Sequence, residues 1–189
     1  MKEYLKQIMG IVLLLMVAFV LAESDSTTVT FVIPASVSHS LSYGGSCSSS
    51  NFYFVEGDAT IDGTQAGINA TSDSAGSNLC ENATVAGIVI SNIGSVNVNM
   101  TANFTAALPT GVVMKVSLNA SGYQASCTGT VPTTAVCANV STTAVTIVNS
   151  LTAVSGTQNT WWWTDFSNFN SGVATTGIAR TLNTNAVQS

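Results

Sequence analysis

Residues 95–105 read SVNVNMTANFT, and the fold turns on how this stretch is read. Val96, Val98, Met100, Ala102 and Phe104 are apolar, while Ser95, Asn97, Asn99, Thr101, Asn103 and Thr105 are polar. A period of two sends alternate side chains to opposite faces of a sheet, whereas a helix needs apolar residues three and four apart. The segment therefore predicts a half-buried β-strand with oil on one face and water on the other. Two glycosylation triplets, Asn99-Met100-Thr101 and Asn103-Phe104-Thr105, sit on the wet face.

The pattern recurs along the chain. In VVMKVSLNAS (112–121) the apolar set is Val112, Met114, Val116 and Leu118, and the polar set includes Lys115, Ser117 and Asn119. Further strands are predicted in NFYFVEGDATIDG (51–63), AGIVISN (86–92), TTAVTIVNSL (142–151) and GIARTLNTNAV (177–187), punctuated by Gly, Asn and Ser. No segment has the pattern of a long amphipathic helix. Many short strands with turn chemistry between them predict an all-β domain, a single β-sandwich of jelly-roll or Greek-key type. In such a sandwich one face of each sheet can stay solvated.

Composition narrows the function. Hydrophobic residues make up 46% of the 189, enough for one domain with a real core. Charged residues are only 7%, so Ser, Thr and Asn must keep the surface wet. The start, MKEYLKQ and then the apolar run IMGIVLLLMVAFVLA, reads as a secretory signal peptide over residues 1–22, with Val20 and Ala22 suiting a cut after Ala22. A run of fifteen apolar residues is short of the ~20 a membrane helix needs, so the membrane is a partner only during export. Taking Lys2, Lys6 and Glu3 from four basic and nine acidic residues leaves two and eight. A surface without a basic patch does not suit nucleic acid.

Four cysteines in an exported chain predict two disulfides, Cys47 with Cys80 and Cys127 with Cys137; the second pair brackets a short turn-forming stretch with Pro132. Six N-x-S/T triplets begin at Asn69, Asn82, Asn99, Asn103, Asn119 and Asn139, and N-linked glycans are expected on some of them. Asn99, Asn103 and Asn119 fall on the polar faces of predicted strands.

The inventory for catalysis is thin. The only histidine, His39, lies in register with apolar residues, and no nucleophile elbow, zinc helix, dinucleotide or phosphate loop occurs, so no enzyme is expected. Glu56, Asp58 and Asp62 flank glycines and could hold Ca²⁺, although solvated loop acids are the plainer reading. Trp161, Trp162 and Trp163 are expected to pack in a core or between subunits, with carbohydrate stacking as the rival. Lys115 could condense with an Asn or Asp in an isopeptide crosslink, but its place on the polar face argues against that.

Residues 28–42 alternate as well, with Val29, Phe31, Ile33, Ala35, Val37, His39 and Leu41 in one register. Fully extended, such a ribbon spans roughly 46 Å at ~3.3 Å per residue, far longer than a common strand. Pro34 should break it or mark an edge. Residues 37–41 are expected to pair within their own sheet. Val29, Phe31 and Ile33 could instead add a strand to a neighbouring copy, which repeated head to tail builds a filament.

The segment VISNIGSVNVNMTANFT (89–105) resembles the N-x-G-N-hydrophobic strand of TasA/camelysin-type biofilm fibre proteins and their archaeal relatives, the bundling pilins. That resemblance implies a jelly-roll subunit assembling by donor-strand complementation, with Val29, Phe31 and Ile33 as the donor. The expected organisation is a signal peptide over 1–22, an extended arm over 23–42 whose donor part is about 23–36, and a sandwich over 43–189. The expected product is a secreted, glycosylated, disulfide-stapled homopolymer at the cell surface. A surface lattice protein and an adhesin that binds cell-surface glycans are the alternatives.

Overall fold

A computed structural model describes residues 35–55, 66–166 and 178–189. The expected signal peptide, the expected donor residues Val29, Phe31 and Ile33, and the acids Glu56, Asp58 and Asp62 lie outside the described residues. Those residues form an all-β fold with no helix: β1 (His39–Tyr43), β2 (Ile68–Asn69), β3 (Ile88–Asn92), β4 (Val98–Phe104), β5 (Val113–Ser117), β6 (Ala138–Val140), β7 (Val145–Leu151), β8 (Thr157–Asp165) and β9 (Leu182–Gln188).

Two antiparallel sheets result. The larger runs β1-β3-β8-β5-β6, with β2 also paired to β8; the smaller runs β7-β4-β9. β8 is long enough to hold β3 along Thr157 to Thr160 and β2 at Trp163 and Thr164 on one side, with β5 on the other.

β4 takes the centre of the smaller sheet, and its alternation is realised. Val98, Met100, Ala102 and Phe104 are buried, while Asn99, Thr101 and Asn103 are half-buried on the outer face. The inner residues of β4 meet Ile88, Ile90, Met114, Val116 and Trp162 of the larger sheet in one core cluster.

The larger sheet departs from the expected alternation. Met114, Lys115, Val116 and Ser117 are all buried, as are the last six residues of β8. Here the outer face is roofed by chain: Ala86, Val89, Ala120 and Tyr123 pack on Trp161 and Trp163. Lys115 and Ser117 were expected on a wet face. Loops covering the sheet overturn that, because period-two patterning reports alternation of faces and not whether the second face is roofed.

Other segments can be compared with their expected readings, and two of them differ. β1 pairs with β3 from His39 to Tyr43, so of residues 37–41, expected to pair within their own sheet, His39, Ser40 and Leu41 do so. The domain unit begins at Ala35. The expected strand over 51–63 is, in its described part, irregular chain held by isolated bridges such as Tyr53 to Thr71. Asn119 lies in a turn past the end of β5 rather than on a strand face.

Disulfides join Cys47 to Cys80 and Cys127 to Cys137, and no described cysteine is free. Two disulfides are compatible with an extracellular location.

Candidate functional site

β9 is the last strand of the smaller sheet, paired with β4 along its whole length and with no other strand among the described residues. Leu182, Thr184 and Ala186 point inward but stay half-buried, and Val187 is 54% exposed. Across from them, at the β1 end of the larger sheet, Leu41, Tyr43, Phe52 and Phe54 are also only partly buried against the core. Tyr43, Phe52 and Phe54 form a run of edge-to-face rings with centroids 6.0 and 5.5 Å apart. A hydrogen bond between His39 Nε2 and Thr184 Oγ1, 2.9 Å, ties the two sheet ends together. Burial lowers the His39 pKa from its ordinary value.

At the opposite end of the sandwich β7 and β6 are also edge strands, each with one strand partner among the described residues. Residues 141–144 fold β7 back beside β6, and the Phe104 N–H donates to Ser141 O at 2.8 Å. Both outer strands of the smaller sheet, β7 and β9, are therefore edges among the described residues, and the β9 edge is the one that lies over half-covered apolar side chains. An unpaired edge displays backbone donors and acceptors that another strand can satisfy.

A second cluster lies on the roofed face. Lys115, 2% exposed, donates to the Asp165 carboxylate and to the carbonyls of Gln124 and Ala125, each at 2.7 Å. Asp165 Oδ1 also accepts from the Gly67 N–H at 2.7 Å and the Tyr123 hydroxyl at 3.0 Å. Gly67 holds a φ of +70°, which glycine adopts without strain. Tyr123 sets its ring 4.9 Å from the Lys115 Nζ, and its pKa is pushed up to about 12 by burial and then by the Asp165 hydrogen bond and charge. Each of the three ammonium protons has an acceptor, which is the arrangement of a stable buried ion pair.

Glu81, 1% exposed, is the third buried charge and was not foreseen. Its carboxyl accepts the backbone N–H of Trp162 at 2.9 Å and of Ala70 at 3.3 Å. Desolvation outweighs those hydrogen bonds and raises its pKa to about 7. A Cβ at Gly87 would lie 2.3 Å from Glu81 Oε2, so a larger residue there would displace this carboxyl.

Beside Glu81 opens a cleft of about 160 Å³. Trp161 and Trp163 form its floor; Asn69, Asn82 and Ser121 stand on its rim. The two indoles share one face, with Trp162 turned to the core, and are 8% and 5% exposed, so only their margins reach the cleft.

The remaining triplets lie elsewhere. Asn99 and Asn103 are on the outer face of β4, where Asn99 Oδ1 accepts from the Ser150 N–H and the Asn103 amide nitrogen donates to Phe104 O and Thr142 O. Asn139 is exposed on β6. Among the described residues no group of three His, Cys, Asp or Glu side chains could hold a metal.

Sequence reasoning missed Asn92 too. It is fully buried, donates to Val96 O and Leu151 O and accepts from the Gly94 N–H, all at 2.9 Å, so it fixes the corner between β3 and β4 and ties it to β7. The signal was present in the Asn-x-Gly spacing of residues 92–94. No family model, curated protein or solved structure matches this chain.

Proposed function

We propose that this chain is an exported, glycosylated structural subunit of an extracellular filament, assembled when the apolar ribbon of one copy adds a strand to the next. The observation that carries the reading is the inequality of the two sheets. The smaller one has only three strands among the described residues, and beside its β9 edge half-buried Leu182 and Ala186 pack on the same core as the partly covered Leu41 and Tyr43. One more strand beside β9 would complete a sandwich of jelly-roll type and cover those side chains. Residues 28–33 supply alternating Val29, Phe31 and Ile33 for that purpose. Backbone pairing would give affinity, and the side-chain seats would give register. Donor and acceptor lie on different parts of the chain, so the contact is heterologous and propagates without closing. Low charge and abundant Ser, Thr and Asn, dressed with sugar, suit a fibre exposed to water.

The test is negative-stain microscopy of the mature protein beside a Phe31→Asp/Ile33→Asp variant. Rods are expected from the first. The second should give a folded monomer with unchanged far-ultraviolet circular dichroism. Rods that persist in the variant would refute strand donation, and flat two-dimensional arrays from the parent chain would favour a lattice protein.

A further inference from the structure

Three of the six glycosylation triplets, far apart in sequence, converge on the tryptophan cleft. Asn69 pairs directly across from Trp163, so their side chains share a face. The backbone carbonyl of Asn82 accepts the Trp161 indole N–H at 2.8 Å. Ala120, the middle residue of the Asn119 triplet, packs on the two tryptophans.

The triplet at Asn82 is also shaped for modification. Its Oδ1 accepts the Thr84 N–H at 2.8 Å, the Thr84 hydroxyl at 3.0 Å and the Val85 N–H at 3.0 Å. Its amide nitrogen, the atom that would carry a sugar, makes no hydrogen bond to the described residues, and the residue is exposed. Asn103 differs, because its amide nitrogen is engaged with two carbonyls. On the cleft rim the Asn69 carboxamide has no hydrogen bond among the described residues either, which suits it to a ligand hydroxyl.

We infer that Asn82 carries an N-linked glycan whose first sugar lies in this cleft, against the margins of Trp161 and Trp163. A pyranose has C–H groups that suit indole and alanine methyl surface, and hydroxyls that suit Asn69 and Ser121. Attachment at the rim keeps the sugar at a high effective concentration, so even a weak contact is populated. The glycan thereby becomes part of the roof over the larger sheet and shields the approach to Glu81. This inference rests on the glycosylated-export part of the proposed function and not on polymerisation.

The experiment uses full-length mature protein from a host that glycosylates exported chains. Glycopeptide mapping is expected to find Asn82 occupied. Thr84→Ala removes the triplet, Thr84→Ser keeps it, and Ser141→Ala removes the distant triplet at Asn139 as a control. Acrylamide quenching of tryptophan fluorescence should rise in Thr84→Ala, through the margins of Trp161 and Trp163 while fully buried Trp162 stays shielded from the quencher, and should hold the parent level in the other two. An unmodified Asn82, or quenching that Thr84→Ala leaves unchanged, overturns the inference. Microscopy on the same preparations keeps the two ideas apart: absence of rods with Asn82 glycosylated and the quenching pattern intact sinks the filament and leaves the seated sugar standing.

Discussion

At the scale of single residues, stability hangs on charges placed where water is absent. Lys115 and Asp165 are buried together, and removing one leaves the other without its counter-charge. Lys115→Met should cost about 3–5 kcal/mol, read as a lower urea midpoint, and Lys115→Met/Asp165→Leu should recover most of it. A single variant as stable as the parent would mean the pair does not hold the 122–125 strap to the sheet. Glu81 gives a pH dependence of known sign. Its folded pKa, about 7, stands above its ordinary 4.5, so the folded state binds the extra proton between those values. Stability from this group is complete below about pH 4.5 and is lost as pH rises through about 7, a fall of roughly 3 kcal/mol. Thermal midpoints taken across that window should decline in the parent chain, and Glu81→Gln should flatten the decline.

Among elements, β8 and the β3–β4 corner matter most. β8 binds β3, β2 and β5 at once, and its Trp162 fills the core while Trp161 and Trp163 hold the roof. Alternation in β4 was plain in the sequence because its two faces meet different surroundings. In β5 and β8 it was not, since chain from elsewhere covers the second face and both sets of side chains are buried. Asn92 shows how much a corner can depend on one side chain. Asn92→Ala strands the carbonyls of Val96 and Leu151 and the N–H of Gly94, and should cost about 1–3 kcal/mol in chemical denaturation. A neutral result would mean that water replaces the amide at that corner.

For the molecule as a whole, the two disulfides contribute unequally. Cys47 and Cys80 are separated by 33 residues and Cys127 and Cys137 by 10. Loop-closure entropy gives about 3.7 kcal/mol for the first and about 2.7 for the second. Paired alanine variants should therefore rank in that order in calorimetry, and the reverse ranking would place the effect in native packing instead. The sequence by itself determined the all-β class and the strand at residues 98–104, because alternation is a local property that any sheet imposes on its residues. Only the tertiary structure decided that Lys115 is buried, that Glu81 sits under backbone donors, that three distant triplets share one cleft and that the smaller sheet ends at β9. Each of those depends on which segments lie over a face or beside an edge, and such contacts join residues whose separation along the chain leaves no periodic trace.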